Sequence, residues 1–371
     1  MHDPLHNITY AYVEFYVGMA KMVAYWHVKA LGFELTAYRG PETGCPDKVS
    51  FLVTKNGINL VISSAASPTC FEVLSFVDRH GNGVKRIAYC VDDVPAAYKQ
   101  AIARGGIPVQ DPHVSENEKG KVTEAALRLF DRKEIVLYDG SQYNGIFKPG
   151  FEALAIKGFE PDFDNGFDAI DHIAYGVHIN EMDQSVAYFQ NIFGGEIIQK
   201  LESGDVITEY SGLLLKLLSS SNGLINNVYV EPENHERSSQ VQDYLEHYYG
   251  SGIQHMAFST NDIFTSLKAM QRSGVEFVLY PPGYYELLRE EGKIPADLID
   301  KLEEHNVLAD AQGDSYLFQT FTKPFGDRPT FFFEVIQRTG DYVGFALENI
   351  AQLFRAVERE QSRRIEGEEQ A

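Results

Sequence analysis

The stretch Gly83-Val84-Lys85-Arg86-Ile87-Ala88-Tyr89-Cys90-Val91-Asp92-Asp93-Val94 recurs later in the chain as Gly252-Ile253-Gln254-His255-Met256-Ala257-Phe258-Ser259-Thr260-Asn261-Asp262-Ile263, 169 residues on. The match continues without a gap, Ala97-Tyr98-Lys99 to Gly105 lying over Ser266-Leu267-Lys268 to Gly274. Self-similarity of that length at a fixed offset marks an internal duplication. Upstream, Tyr10 to Val17 lies over Ile170 to Val177, and each leads into an amphipathic segment, with Ala24-Tyr25-Trp26 in one and Ala187-Tyr188-Phe189 in the other. The offset there drifts from 160 to 163 residues, which a small loop insertion explains at little cost. The halves run from about 8 to 150 and 168 to 340, joined by a Gly-, Pro- and Asp-rich segment at 157–166.

Within each half the pattern reads strand, helix, then several strands, twice over. Runs such as Ile58-Asn59-Leu60-Val61-Ile62 and Tyr316-Leu317-Phe318-Gln319-Thr320-Phe321 have the character of half-buried strands. Asp262 to Arg272 carries Ile263, Leu267 and Met270 on one helical face, and 346–361 repeats Ile350, Leu353, Phe354 and Val357 at helical spacing. Each half is thus βαβββ repeated, an α+β architecture whose sheets curl around a central space. The division expected is a first domain at 1–156 and a second at 157–371.

Composition fits that picture. A chain of 371 residues with 44% apolar and 12% aromatic content is globular, and its length suits two domains. A net charge of −21 opposes attraction to nucleic acid or an anionic membrane, since phosphate binding needs clustered Lys and Arg. Three widely spaced cysteines, Cys45, Cys70 and Cys90, fit neither a disulfide framework nor a zinc knuckle. Residues 1–10 show no basic stretch followed by an apolar one and no run of about 18 apolar residues occurs, so no export is expected and the expected location is the cytoplasm.

The repeat is most informative where it diverges. His172 stands where the first half has Tyr12, and His255 where it has Arg86. A carboxylate, Glu334, interrupts the very apolar run Phe331-Phe332-Phe333-Glu334-Val335-Ile336, where the first half offers Val136. Buried there, it needs a partner. Two histidines and one carboxylate on separate strands are the facial ligand set that holds ferrous iron and leaves positions open. Zinc fits the same ligands, and an open His2Glu site also serves hydrolysis. The lesser alternative for each of the three is a satisfied core side chain.

The second half, from Ile170 to about Gln361, resembles the 4-hydroxyphenylpyruvate dioxygenase family, which includes 4-hydroxymandelate synthases. The strings that carry the resemblance are Ile170-Asp171-His172, Gly252-Ile253-Gln254-His255, Phe318-Gln319-Thr320-Phe321-Thr322-Lys323-Pro324, Asp327-Arg328-Pro329-Thr330 and Phe332-Phe333-Glu334-Val335-Ile336-Gln337-Arg338. The first half resembles it through Glu14-Phe15-Tyr16-Val17-Gly18 and Phe147-Lys148-Pro149-Gly150-Phe151. The resemblance implies two vicinal-oxygen-chelate domains as curled half-open barrels with outer helices, only the second binding metal, and a C-terminal helix over the active site. It implies Fe(II) on His172, His255 and Glu334, an aromatic 2-oxo acid and dioxygen as substrates, and a homo-oligomer. Gln254, Gln319 and Gln240 match positions that line the family's substrate pocket.

Two departures bear on the product. Ring-hydroxylating members carry Pro-Ile-Asn-Glu-Pro where this chain reads Val228-Tyr229-Val230-Glu231-Pro232, so Val230 replaces an amide. Ile350 replaces an aromatic residue of the C-terminal helix, while Phe345 is retained. Losing an aromatic wall and an amide anchor lets the substrate's methylene, instead of its ring, sit nearest the oxidant, and a displacement of about 1 Å is enough to redirect such chemistry. The resemblance then implies benzylic hydroxylation to 4-hydroxymandelate, with homogentisate as the alternative. A non-catalytic ligand-binding protein is a rival of another class.

Overall fold

A computed structural model describes residues 3–202, 213–233 and 239–346. The first module is β1 (Thr9–Tyr16), α1 (Ala20–Leu31), β2 (Glu34–Arg39), β3 (Lys48–Lys55) and β4 (Ile58–Ala65). Helix α2 (Phe71–His80) leads to the second: β5 (Gly83–Cys90), α3 (Val94–Ala103), β6 (Pro108–Asn117), β7 (Gly120–Arg128) and β8 (Glu134–Asp139), followed by the short β9 (Glu152–Ala153). The third is β10 (Phe167–Gly176), α4 (Met182–Phe193), β11 (Glu196–Leu201), β12 (Leu213–Ser219) and β13 (Asn226–Pro232). Helix α5 (Gln240–Tyr248) precedes the fourth: β14 (Gly252–Thr260), α6 (Ile263–Arg272), α7 (Pro282–Glu291), α8 (Ala296–His305), β15 (Leu308–Gln312), β16 (Ser315–Phe321) and β17 (Phe332–Arg338).

The repeat explains the topology. The first sheet is ordered β6-β7-β8-β5-β1-β4-β3-β2-β9 and the second β11-β12-β13-β10-β14-β17-β16-β15. In each, the first strands of paired modules lie antiparallel at the centre, β1 on β5 and β10 on β14. Local chemistry repeats as well. Asp93 and Asp262, equivalent in the duplication, cap α3 and α6 by accepting from the backbone N–H of Ala96 and Thr265. Gly83 and Gly252 open β5 and β14, and both back onto the ring of Tyr248: an added Cβ would come within 3.1 Å and 2.4 Å of it.

The outer faces of the sheets do not bury separate cores. Val13 and Phe15 of β1, Ile173 and Tyr175 of β10 and Phe333 of β17 belong to one apolar cluster with α1, α3, α4 and α6. Phe15 meets Phe331 edge-on at 5.1 Å, Trp26 of α1 stacks on Phe325 at 5.1 Å, and Tyr89 of β5 packs on Phe193 of α4 at 5.5 Å. With the helices committed between the sheets, the alternate residues of each strand face the concave sides. Among the described residues no helix is long and apolar enough to cross a membrane.

Candidate metal centre

At the middle of the second sheet β10, β14 and β17 lie side by side. Their register sets His172 opposite Ala257 and Ala257 opposite Glu334, and places Ala174, His255 and Phe332 in the adjacent row. All share the concave face. Ala257 ends at its Cβ, so the space between the two longer side chains stays open. Irregularities in β10–β14 pairing fall between Ile170 and His172 and between Ala174 and Tyr175, on either side of the ligand position. Bulges there re-aim side chains.

The three side chains converge. Nε2 of His172 is 3.1 Å and Nε2 of His255 is 3.4 Å from the same oxygen, Oε2 of Glu334. One donor atom from each lies within 4.8 Å of the others, and all three residues are buried. The far nitrogens are held in turn: Nδ1 of His172 is 2.9 Å from Oδ1 of Asp171, and Nδ1 of His255 is 3.3 Å from Oε1 of Gln254. With Nδ1–H donating, each Nε2 presents its lone pair inward, the arrangement that orients metal-binding imidazoles.

Charge within the cluster is balanced. Burial alone would raise the Glu334 carboxyl, but His172 and His255 outweigh it and hold the group below the ordinary carboxylate range. Burial would lower His172, but Glu334 and Asp171 push it up to about 9. His255 is lowered, burial outweighing the pull of Glu334. A proton on His172 and a divalent cation therefore compete for one set of lone pairs. Two neutral imidazoles and one carboxylate from adjacent strands suit such a cation on the sheet side and leave its other side toward the concave interior.

Around the cluster, Phe345 meets His172 edge-on at 4.5 Å and Phe332 stacks on His255 at 4.9 Å. Gln319 is buried on β16, two residues from Phe321, which is the cross-strand partner of Glu334. Val230 packs in an apolar wall with Ala174, Leu217, Val228 and Phe345. Gln254 is placed against a histidine's far nitrogen, and Gln240 is exposed at the first position of α5. Ile350 and the expected C-terminal helix beyond Ala346 lie outside the described residues. Sequence reasoning assigned no role to Asp171 or Arg338. Arg338 donates from Nε to Oδ2 and from Nη2 to Oδ1 of Asp171. A residue adjacent to His172 in a regular strand would face away from it, so only the bulge reveals Asp171 as its partner.

The same positions in the first sheet hold no such set. Tyr12 pairs with Ala88 and Ala88 with Val136, with Arg86 in the adjacent row. The register therefore aligns Val136 with Glu334, as Tyr12 and Arg86 align with the histidines.

Two curled sheets of paired βαβββ modules, one carrying three convergent side chains of the types that can bind a metal, define a vicinal-oxygen-chelate protein. A model of the Glyoxalase/Bleomycin resistance protein/Dioxygenase superfamily matches residues 169–290. The 4-hydroxyphenylpyruvate dioxygenase of Yarrowia lipolytica is 34% identical over 96% of this chain and 92% of its own length. That of Xenopus tropicalis is also 34% identical, with the same coverage of both chains. The chain belongs to the 4-hydroxyphenylpyruvate dioxygenase family. Among solved structures, a triple mutant of 4-hydroxymandelate synthase from Streptomyces coelicolor superposes with a TM-score of 0.82 at 28% identity, covering 95% of this chain and 98% of that one.

Proposed function

We propose that this protein is an iron(II)-dependent dioxygenase that converts 4-hydroxyphenylpyruvate to 4-hydroxymandelate and carbon dioxide. The observation that carries the reading is the convergence of His172, His255 and Glu334 within 4.8 Å on the concave face. His172, His255 and Glu334 would hold iron(II), which would supply open positions for a chelating 2-oxo acid and for dioxygen activation. The chain's own residues do the rest. Asp171 and Gln254 hold the histidine tautomers, and the buried strands around the ligands exclude water. Phe345 and the wall containing Val230 give the aryl group an apolar seat with no amide anchor on Val230. That seat supports the benzylic product.

Formation of homogentisate is the second reading, favoured by the activity for which the Yarrowia and Xenopus relatives are named. Gln319 and Gln240 are proposed to line the substrate's path, and Ile350 to cover it. The domain division at 156/157, a cytoplasmic location, a homo-oligomeric state and the lack of a nucleic-acid partner complete the proposal; the charge of −21 supports the last. The test is to incubate the protein with 4-hydroxyphenylpyruvate, iron(II) and air, and to separate the products. Hydroxymandelate as the main product supports the reading, homogentisate replaces it with the second, and no dioxygen uptake overturns both. Restoring activity after chelation with zinc but not iron would point to the hydrolytic alternative.

A further inference from the structure

The first sheet lines a cavity of about 150 Å³ at the place equivalent to the candidate metal centre, with Tyr12, Arg86 and Val136 in its lining. Four cationic side chains line it, Arg39, Lys48, Arg86 and Lys148, against two carboxylates, Glu14 and Glu124. Glu72 and Glu134, paired with Arg86 just outside the lining, offset that difference, so what bears on a ligand is which individual cation is uncommitted. Most of these groups are committed to one another. Arg86 donates to Glu14, Glu72 and Glu134 at 2.8, 2.8 and 2.6 Å, and Lys148 donates to Glu124 at 3.0 Å and to the Tyr12 hydroxyl at 3.2 Å. Lys48 lies 3.3 Å from Glu14.

Arg39 is the exception. Among the described residues its guanidinium has no hydrogen-bond or ion-pair partner, although it is half-buried in the cavity wall. It lies over Gly150, where an added Cβ would come within 3.1 Å of Nε, so the glycine leaves the room it occupies. An unpaired, partly buried guanidinium is costly unless something planar and anionic meets its fork. Apolar and aromatic surface stands beside it: Val61, Val136 and Phe151 are buried in the same lining.

We propose that this cavity is a second, non-catalytic binding site for a compact organic carboxylate. The carboxylate pairs bidentately with Arg39, and the apolar body lies against Val61, Val136 and Phe151. A cavity of ~150 Å³ is the size that accommodates benzene in an apolar core, which sets the bulk of the ligand. One uncommitted fork favours a carboxylate over phosphate, which would call for more free donors than the salt-bridged Arg86 and Lys148 offer.

The test is calorimetric titration of the iron-loaded full chain with benzoate, and separately with inorganic phosphate. Benzoate affinity should fall at least tenfold in Arg39→Gln and by less in Arg39→Lys, which keeps the charge but not the fork. It should persist in Glu334→Ala, which removes a metal-centre side chain and so separates this site from the proposed catalytic one. Four outcomes overturn the proposal: no benzoate binding to the wild type, affinity unchanged by both Arg39 substitutions, loss of binding in Glu334→Ala, or phosphate bound in place of benzoate. Far-ultraviolet circular dichroism of the two Arg39 variants verifies that a loss of binding is not a loss of fold.

Discussion

Arg338 grips Asp171 by both oxygens, Nε to Oδ2 at 3.0 Å and Nη2 to Oδ1 at 3.1 Å, while Asp171 holds Nδ1 of His172 at 2.9 Å. The same guanidinium donates to the carbonyl of Gly344 and lies 4.9 Å from the ring centre of Phe345. One side chain thus ties the orientation of the His172 imidazole to the start of the C-terminal segment. Asp171 is held well below its ordinary range: burial opposes this, but His172 and Arg338 outweigh it.

Asp171→Asn and Arg338→Leu should each weaken iron(II) binding by about 10- to 100-fold, the usual effect of removing a group that orients a ligand. Competition against a chelator of known affinity measures it. Affinity equal to the wild type in both variants would show that the bulged carboxylate does not orient His172.

Ala257 separates His172 from Glu334 in the ligand row. Ala257→Leu should fill the space a cation needs and reduce bound iron well below one per chain. Iron content by elemental analysis, beside an unchanged circular dichroism spectrum, checks this. Full occupancy in the variant would refute the steric argument.

His172 is pushed up to about 9 by Glu334 and Asp171 against the opposing effect of burial, so near pH 7 a cation must displace its proton. Iron(II) affinity should therefore rise with pH, by up to about tenfold per unit, and level off near pH 9. Titrations in buffers of different ionisation enthalpy should register about one proton released per ion near neutrality.

Lys133 is fully buried, 3.4 Å from Nε2 of His80 and 4.5 Å from the ring centre of Tyr248, at the junction of α2 and α5. Burial pulls its ammonium from 10.5 down to about 7. Between those values the unfolded chain binds the extra proton, so this group's contribution to stability rises with pH by at most about 1.4 kcal/mol per unit. Lys133→Met should be more stable than the wild type at pH 7, with the margin shrinking toward pH 10. Denaturant titrations at the two pH values decide it, and a constant margin would count against a neutral buried lysine. His80, lowered by burial to about 4, should remove stability as pH falls from 6.5 toward 4.

Val230→Asn restores an amide to an otherwise apolar wall and should raise the homogentisate fraction of the product. Chromatography of the reaction mixture reads the ratio. An unchanged ratio would mean that this wall does not control where the substrate is oxidised.

The sequence alone determined the module order and the candidate ligands, the two histidines through the duplication and Glu334 through its place in an apolar run. A 169-residue offset fixes which strands are equivalent, and the loss of symmetry at Tyr12/His172 and Arg86/His255 points to the half that carries the candidate metal site. These are local facts of side-chain type and spacing. Only the tertiary structure decided the rest. Bulges at Ile170/His172 and Ala174/Tyr175 turn Asp171 and Gln254 onto the histidines' far nitrogens, whereas strict alternation would send neighbouring side chains to opposite faces. The shared core of α1 and α4 between the sheets, and the unpaired guanidinium of Arg39 in the first sheet's cavity, arise from pairings between residues far apart in the chain. Periodicity reports which face a residue takes; what stands opposite it depends on register, and register is set by packing.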